Sequence, residues 1–340
     1  MTARSVGRRG FLVAAAGAVA AVVTACGADD PPDPSAPRTG RTLPRPTTKR
    51  PVGPVPEPPS PVPDLPAFSP WQPGGNEIAP EVKVAAARVL EALGTVPDGV
   101  AVTPAAGRLT AAGAPPALEA MAGPLLPPAA PAVAQIVYPQ YGGLERSTAS
   151  VMAVVRQTWV DGATLRERVV TADVRLRRRA GAWTVTELHP AAPAPGAAAA
   201  LTGPAAELAG SGRVHLPEAA VADLAAGVVD ARVVAALLEL AGTYQLAVSV
   251  FRGGHPENVF GTDRTSNHTR GRAVDIWAVD GRPVVSMGKD EPFLLDFLAA
   301  VRATGSDEIG GPVDPDGPGG KHFADDLHRD HVHLGFERAA

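Results

Sequence analysis

The sequence predicts an α+β protein whose ordered part divides into two domains, and three observations lead there. Apolar residues at helical spacing from Pro80 to Leu93 precede four segments of β-branched or alternating residues, the order of a helix followed by an antiparallel meander. A run of Ala, Pro and Gly over 191–212 interrupts this pattern, and helical periodicity resumes beyond it. At 340 residues the chain also exceeds one ordinary domain, which runs about 100–200 residues.

The N-terminus comes first. Arg8-Arg9-Gly10-Phe11-Leu12 opens an apolar run to Ala25, with no further charge until Asp29. Residues 1–25 read as a signal peptide, and the twin arginines fit the twin-arginine export route. The run is about 15 residues, short of the ~20 that a spanning helix needs. Val23-Thr24-Ala25-Cys26-Gly27 resembles a bacterial lipobox, in which the cysteine is lipidated and becomes the new N-terminus. Cys26 is the sole cysteine, so no disulfide forms within the chain. The resemblance implies an exported lipoprotein, anchored through Cys26 to the outer face of the bacterial cell membrane.

Residues 26–75 form a tether. Between Pro31 and Gly74 lie 16 of the 37 prolines, a composition that favours polyproline II over a packed core. Fully extended, the tract spans on the order of 100 Å, enough to carry the two domains into a surrounding cell wall. The net charge of −4 has no basic excess and gives no reason to expect a nucleic-acid partner.

The first domain occupies 76–190. Val82, Val84, Ala87, Val89, Leu90 and Leu93 form the apolar stripe of its helix, with Pro80 in the first turn. Ala132 to Tyr138, Ser150 to Trp159, Arg166 to Arg177 and Trp183 to Leu188 read as strands. A helix followed by such a meander resembles the nuclear-transport-factor-2-like or cystatin-like cone. That resemblance is one of strand pattern and supplies no catalytic residue.

The second domain occupies 213–340. Pro217 to Ala226 and Ala231 to Ala241 have helical periodicity, and Leu246 to Phe251, Ala273 to Ala278 and Val332 to Phe336 read as strands. His331 and His333 then share a face, with Val332 turned into the core. His268 stands in the polar turn Ser266-Asn267-His268, and Gly271 permits the sharp approach to the strand bearing Asp275. His268, Asp275 and His333 make up the three-ligand set of a catalytic zinc, which keeps a further position for water. His331 is a spare base.

Ser266-x-His268-x-x-Gly271-x-Ala273-x-Asp275 resembles the metal motif of the zinc D-Ala-D-Ala peptidases, which share a fold with the hedgehog signalling domain and the lysostaphin-type endopeptidases. His331-x-His333 resembles the second motif of that superfamily. The resemblance covers roughly Ala247 to Phe336 and implies a hedgehog/DD-peptidase-like α+β domain. It implies zinc as the cofactor, held by His268, Asp275 and His333, with His331 as the base and Ser266 as a substrate contact. In the vancomycin-resistance dipeptidases the second motif is Glu-x-x-His, and Asp330 occupies the Glu position here, so Asp330 is a second candidate base. Strand alternation favours His331 and leaves Asp330 the task of orienting an imidazole.

Val248 to Gly253 resembles the Ser-Gly-Tyr-Arg-Ser segment of the same enzymes, which makes Arg252 the candidate partner of a developing oxyanion. Phe251, Gly253 and the Gly-, Pro- and Asp-rich loop from Gly310 to Lys321 depart from the family pattern and leave the metal set intact. His255, His322 and His328 lie in loops able to rim the site, whereas His189 and His215 lie at domain edges. The implied function is a membrane-anchored zinc peptidase that cuts cell-wall (peptidoglycan) peptides with metal-activated water. The alternative keeps the fold and drops the chemistry, leaving a lipoprotein that binds cell wall or a partner protein.

Overall fold

The computed structural model describes residues 64–98, 103–197 and 199–338. The signal peptide, Cys26 and the tether up to residue 63 lie outside the described residues. Of the expected tether, residues 64–75 are described, and Trp71 N donates to Glu91 Oε1 at 2.7 Å. No helix among the described residues is long and apolar enough to cross a membrane.

The architecture is mixed α+β, built around two sheets. In the first lobe α1 (Pro80–Gly94) opens on proline, where the missing N–H is no loss, and buries Val82, Ala86, Val89, Leu90 and Leu93. The short helices α2 (Ala105–Ala111) and α3 (Glu119–Ala122) follow. Next come β1 (Ala132–Leu144), β2 (Thr148–Asp161), β3 (Thr164–Arg179) and β4 (Ala182–Pro190), antiparallel and in sequential order. Val151, Ala153 and Val155 of β2 and Ala172 and Val174 of β3 join the α1 residues in one core. Strand β1 continues through Pro139 to Leu144, past the expected end at Tyr138. Pro139 pairs with Ala153, and β1 is an edge strand, where a proline's missing N–H can face away from the ladder.

The second lobe begins inside the run 191–212. There α4 (Gly203–Gly210) buries Leu208 in a second core. Then come β5 (Val214–His215), α5 (Glu218–Ala225), α6 (Ala231–Ala241), β6 (Leu246–Val250), β7 (Ala273–Val279), β8 (Arg282–Pro283), α7 (Pro292–Ala303), β9 (Glu308–Gly311), β10 (Phe323–Ala324) and β11 (Val332–Gly335). The sheet order is β10-β9-β11-β7-β6-β5, with β8 paired to β7. Val248, Val274, Ile276, Val332 and Leu334 turn one face of this sheet toward Leu237 of α6 and Phe297 and Val301 of α7. Alternation then sends Ser249, Asp275, Trp277 and His333 to the opposite face.

That polar face meets the first lobe. Tyr138 of β1 stacks on Trp277 of β7, with ring centroids 4.9 Å apart and planes within 7° of parallel. Two residues further along β1, Gln140 reaches Asp275 and Ser249. The predicted ligands therefore lie between two facing sheets, each with helices on its other side.

Candidate metal centre

Antiparallel pairing of β7 with β11 sets Asp275 opposite His333, and directly opposed residues share a face. Their side chains meet, His333 Nδ1 lying 2.9 Å from Asp275 Oδ1. His268 arrives from the turn before β7, where Gly271 N donates to His268 O and Arg272 N to Asn267 O, both at 2.8 Å. This turn requires glycine: Gly271 has φ 70°, and a Cβ there would lie 1.8 Å from Val228 O. His268 Nε2 then sits 3.1 Å from Asp275 Oδ1 and 3.1 Å from His333 Nδ1. Three potential ligand atoms close a small triangle.

Ordinary hydrogen bonds do not account for all three sides. His268 Nδ1 lies 2.6 Å from Phe251 O and, facing a carbonyl, carries the ring proton. With that proton at Nδ1, the Nε2 lone pair of His268 points at a carboxylate oxygen and a second imidazole. Positive charge belongs among them. Burial alone lowers the His333 imidazole, but the flanking Asp275 and Glu308 carboxylates overturn that and push it up to about 9. Burial likewise acts to raise Asp275, yet His268, His331 and the hydrogen bonds of His268 and His333 hold its carboxyl well below the usual range.

A metal ion answers the same demand. Zinc takes N and O ligands at about 2.0–2.1 Å in a tetrahedron, which spaces the ligand atoms by roughly 3.3 Å. The triangle's sides of 2.9, 3.1 and 3.1 Å come close to that spacing. His255 forms a looser group with two of the same residues: the ligand atoms of His255, His268 and Asp275 lie within 4.8 Å of one another. We take the tighter triangle as the primary set. The His255 ring stacks on His268 at 3.9 Å, which makes it the nearest further imidazole. Burial first, and then the neighbouring His268 ring, hold the His255 imidazole well below its ordinary value.

Hydrogen-bonding groups surround the triangle. Gln140 Nε2 donates to Asp275 Oδ2 at 2.7 Å, while Gln140 Oε1 accepts from Ser249 Oγ at 2.5 Å. Asp275 Oδ1 is thereby left to the triangle. His333 Nε2 faces Glu308 Oε2 at 3.7 Å, an ion-pair separation rather than a hydrogen bond. Imidazole ligands commonly have such a carboxylate behind them.

His331 stands just before β11. Its Nδ1 lies 2.6 Å from Asp330 Oδ1, and its Nε2 lies 3.8 Å from Asp275 Oδ2. Asp330 is buried with both oxygens engaged, because Oδ2 accepts from Lys83 Nζ at 2.6 Å and from Tyr141 N at 3.0 Å. Burial acts to raise this carboxyl, and Lys83 and His331 outweigh it and lower it. Of the two candidate bases, His331 lines the cleft beside the triangle and Asp330 does not.

That cleft has a volume of about 100 Å³, and its walls include Tyr141 and Gly142 of β1, Phe260, Arg264, Phe323 and His328. Ser266 also lines it, and its Oγ accepts from His268 N at 3.2 Å, so it supports the turn that carries His268. Arg252 stays outside the lining, with Nε donating to Thr269 O at 3.1 Å and its backbone N to Asp223 Oδ2 at 3.0 Å. Arg264 is the arginine in the cleft wall. A more spacious cavity of about 650 Å³ beside α1 and α2, bordered by Phe68, Trp71, Val84 and Arg108, contains none of the candidate residues.

No protein-family model matches the chain, and no curated protein matches it either. The site therefore rests on its own geometry. Sequence reasoning passed over Lys83, Gln140, Tyr141 and Arg264. For Lys83 a signal exists: it lies on the stripe of α1 that continues through Ala86, Ala87 and Leu90, all buried, where an apolar residue is expected. Gln140 gave none, since a strand that stops at Tyr138 does not reach it.

Proposed function

We propose that this chain is a zinc-dependent peptidase acting on cell-wall peptides, with a second lobe of the D-Ala-D-Ala peptidase, hedgehog and lysostaphin-type superfamily. The observation that carries this reading is the triangle of His268 Nε2, Asp275 Oδ1 and His333 Nδ1, with sides of 2.9–3.1 Å. When bound, zinc supplies Lewis acidity toward a carbonyl and acidifies water. Two imidazoles and one carboxylate hold it, and no further protein ligand is needed in a catalytic site. His331, whose Nδ1 proton goes to Asp330, offers Nε2 to accept a proton at the cleft and then to pass it to the leaving amine. Arg264 adds positive charge to the wall, while Phe260 and Phe323 help to exclude water.

The leader, the Cys26 lipobox and the proline-rich tract support export and attachment to the outer face of the bacterial membrane, with reach into the wall. In the first lobe, the packing of α1 on a four-stranded meander supports the cystatin-like cone. Zinc-loaded protein incubated with a panel of pentapeptide and cross-linked muropeptides tests the activity. Release of D-Ala or opening of cross-links is expected, with loss in His331→Ala at unchanged zinc content. Intact muropeptides throughout would sink the peptidase reading.

One observation favours a second reading, a wall-binding protein that keeps the fold. Arg252 lies outside a cleft of only about 100 Å³. Under this reading wild type and His331→Ala bind purified sacculi equally and neither alters them.

A further inference from the structure

We propose that Lys83 is a positioning residue for His331, so that the first lobe is a working part of the centre in the second. Its kinetic consequence rests on the peptidase reading; its structural consequence does not.

Lys83 is fully buried, at 0 % exposure, near the N-terminal end of the apolar face of α1. Its Nζ donates to Asp330 Oδ2 at 2.6 Å, to Tyr138 Oη at 3.3 Å, and to Glu77. It also lies 4.9 and 4.8 Å from the ring centroids of Tyr138 and Tyr141. An ammonium with no access to water needs such a cage. Stability alone is a weak reason to keep it, because a well-packed apolar group in the same place often serves as well.

The bonds beyond Asp330 give a different reason. An ammonium only donates, so Asp330 accepts from it and remains a carboxylate that only accepts. Across the 2.6 Å contact with Asp330 Oδ1, His331 Nδ1 is then the donor. A proton is thereby fixed at Nδ1, and Nε2 is left without a hydrogen bond to Asp275, whose Oδ2 lies 3.8 Å away. Backbone Tyr141 N, also from the first lobe, donates to the same Asp330 oxygen at 3.0 Å. Removing Lys83 leaves a buried carboxyl short of one partner, free to turn or to become a donor. In either case His331 loses the constraint that sets its tautomer.

Long-range ¹H–¹⁵N spectra of the histidine rings in the zinc-loaded chain read this directly, with His331 assigned through His331→Gln. The wild type is expected to show His331 as a single tautomer protonated at Nδ1. Lys83→Met is expected to shift both ring nitrogens toward averaged or reversed values, and Lys83→Arg to restore the wild-type pattern. A folded Lys83→Met that keeps the wild-type tautomer overturns the proposal. Should Lys83→Met fail to fold, Lys83→Gln, which leaves a polar group in the cage, is read the same way.

On a muropeptide substrate, Lys83→Met is expected to lower kcat about 10- to 100-fold with KM unchanged. A raised KM at unchanged kcat marks a merely structural role and overturns the proposal. Absence of turnover in the wild type sinks the peptidase reading instead, and the spectra then decide the role of Lys83 alone.

Discussion

Gln140 Nε2 donates to Asp275 Oδ2 at 2.7 Å, although 135 residues separate the two in the chain. An amide from one sheet thus fixes the carboxylate of the other and turns its Oδ1 toward His268 and His333. Gln140→Leu is expected to weaken zinc binding about 10- to 100-fold, the usual cost of losing a group that orients a ligand. Competition against a chelator of known affinity measures it. An unchanged affinity would mean that the bond plays no part in holding the metal.

His331 is expected to serve chemistry without holding the ion. Its Nε2 lies 3.8 Å from Asp275 Oδ2, and the residue lines the cleft together with the triangle. His331→Ala is predicted to keep full zinc content and to lose turnover by a factor of about 10²–10⁴. Loss of zinc from this variant would assign His331 to the ligand set.

Much of this centre was legible because strand alternation is local. Val274 and Ile276 go to the core and Asp275 to the other face, as do Val332 and Leu334 around His333. The turn at Gly271 was legible for the same local reason. Partners supplied by another element were not. Strand β1 runs through Pro139 because it lies at a sheet edge, a fact of topology that the residues around Pro139 do not encode. The pairing of Lys83 with Asp330 spans 247 residues, and only the oddity of lysine on an apolar stripe hinted at it. Arg252 sat in a family-like segment, yet its guanidinium turns to Thr269 O, and Arg264 lines the cleft.

Gly271 gives a stability prediction. With φ 70° and Val228 O at 1.8 Å from a built Cβ, alanine must both adopt a left-handed backbone and displace a neighbouring stretch of chain. The conformational part alone costs about 1–2 kcal/mol. Urea unfolding of Gly271→Ala is expected to show at least that loss, together with weakened zinc binding through the His268 turn. Wild-type stability would contradict the strain argument.

Asp230 gives a pH dependence. It caps α6, its side chain accepting from Arg232 N at 3.0 Å and pairing with Arg232 Nη2 at 2.7 Å. The hydrogen bond from the Arg232 side chain, ahead of opposing burial, holds this carboxyl below its ordinary value. A carboxyl lowered in the folded state stabilises fully above its unfolded value near 3.9, and that contribution fades as pH falls through the folded value. Asp230→Ala is therefore expected to cost about 1 kcal/mol at pH 7. The gap from wild type is predicted to narrow when unfolding is repeated below about pH 4. An equal gap at both pH values would show that the cap's charge contributes nothing.

The central claim is that His268, Asp275 and His333 hold one metal ion. Equilibrium dialysis of metal-stripped protein against zinc tests it most directly. The account predicts one zinc per wild-type chain and none tightly held by Asp275→Ala; equal zinc in both, or none in the wild type, would contradict it.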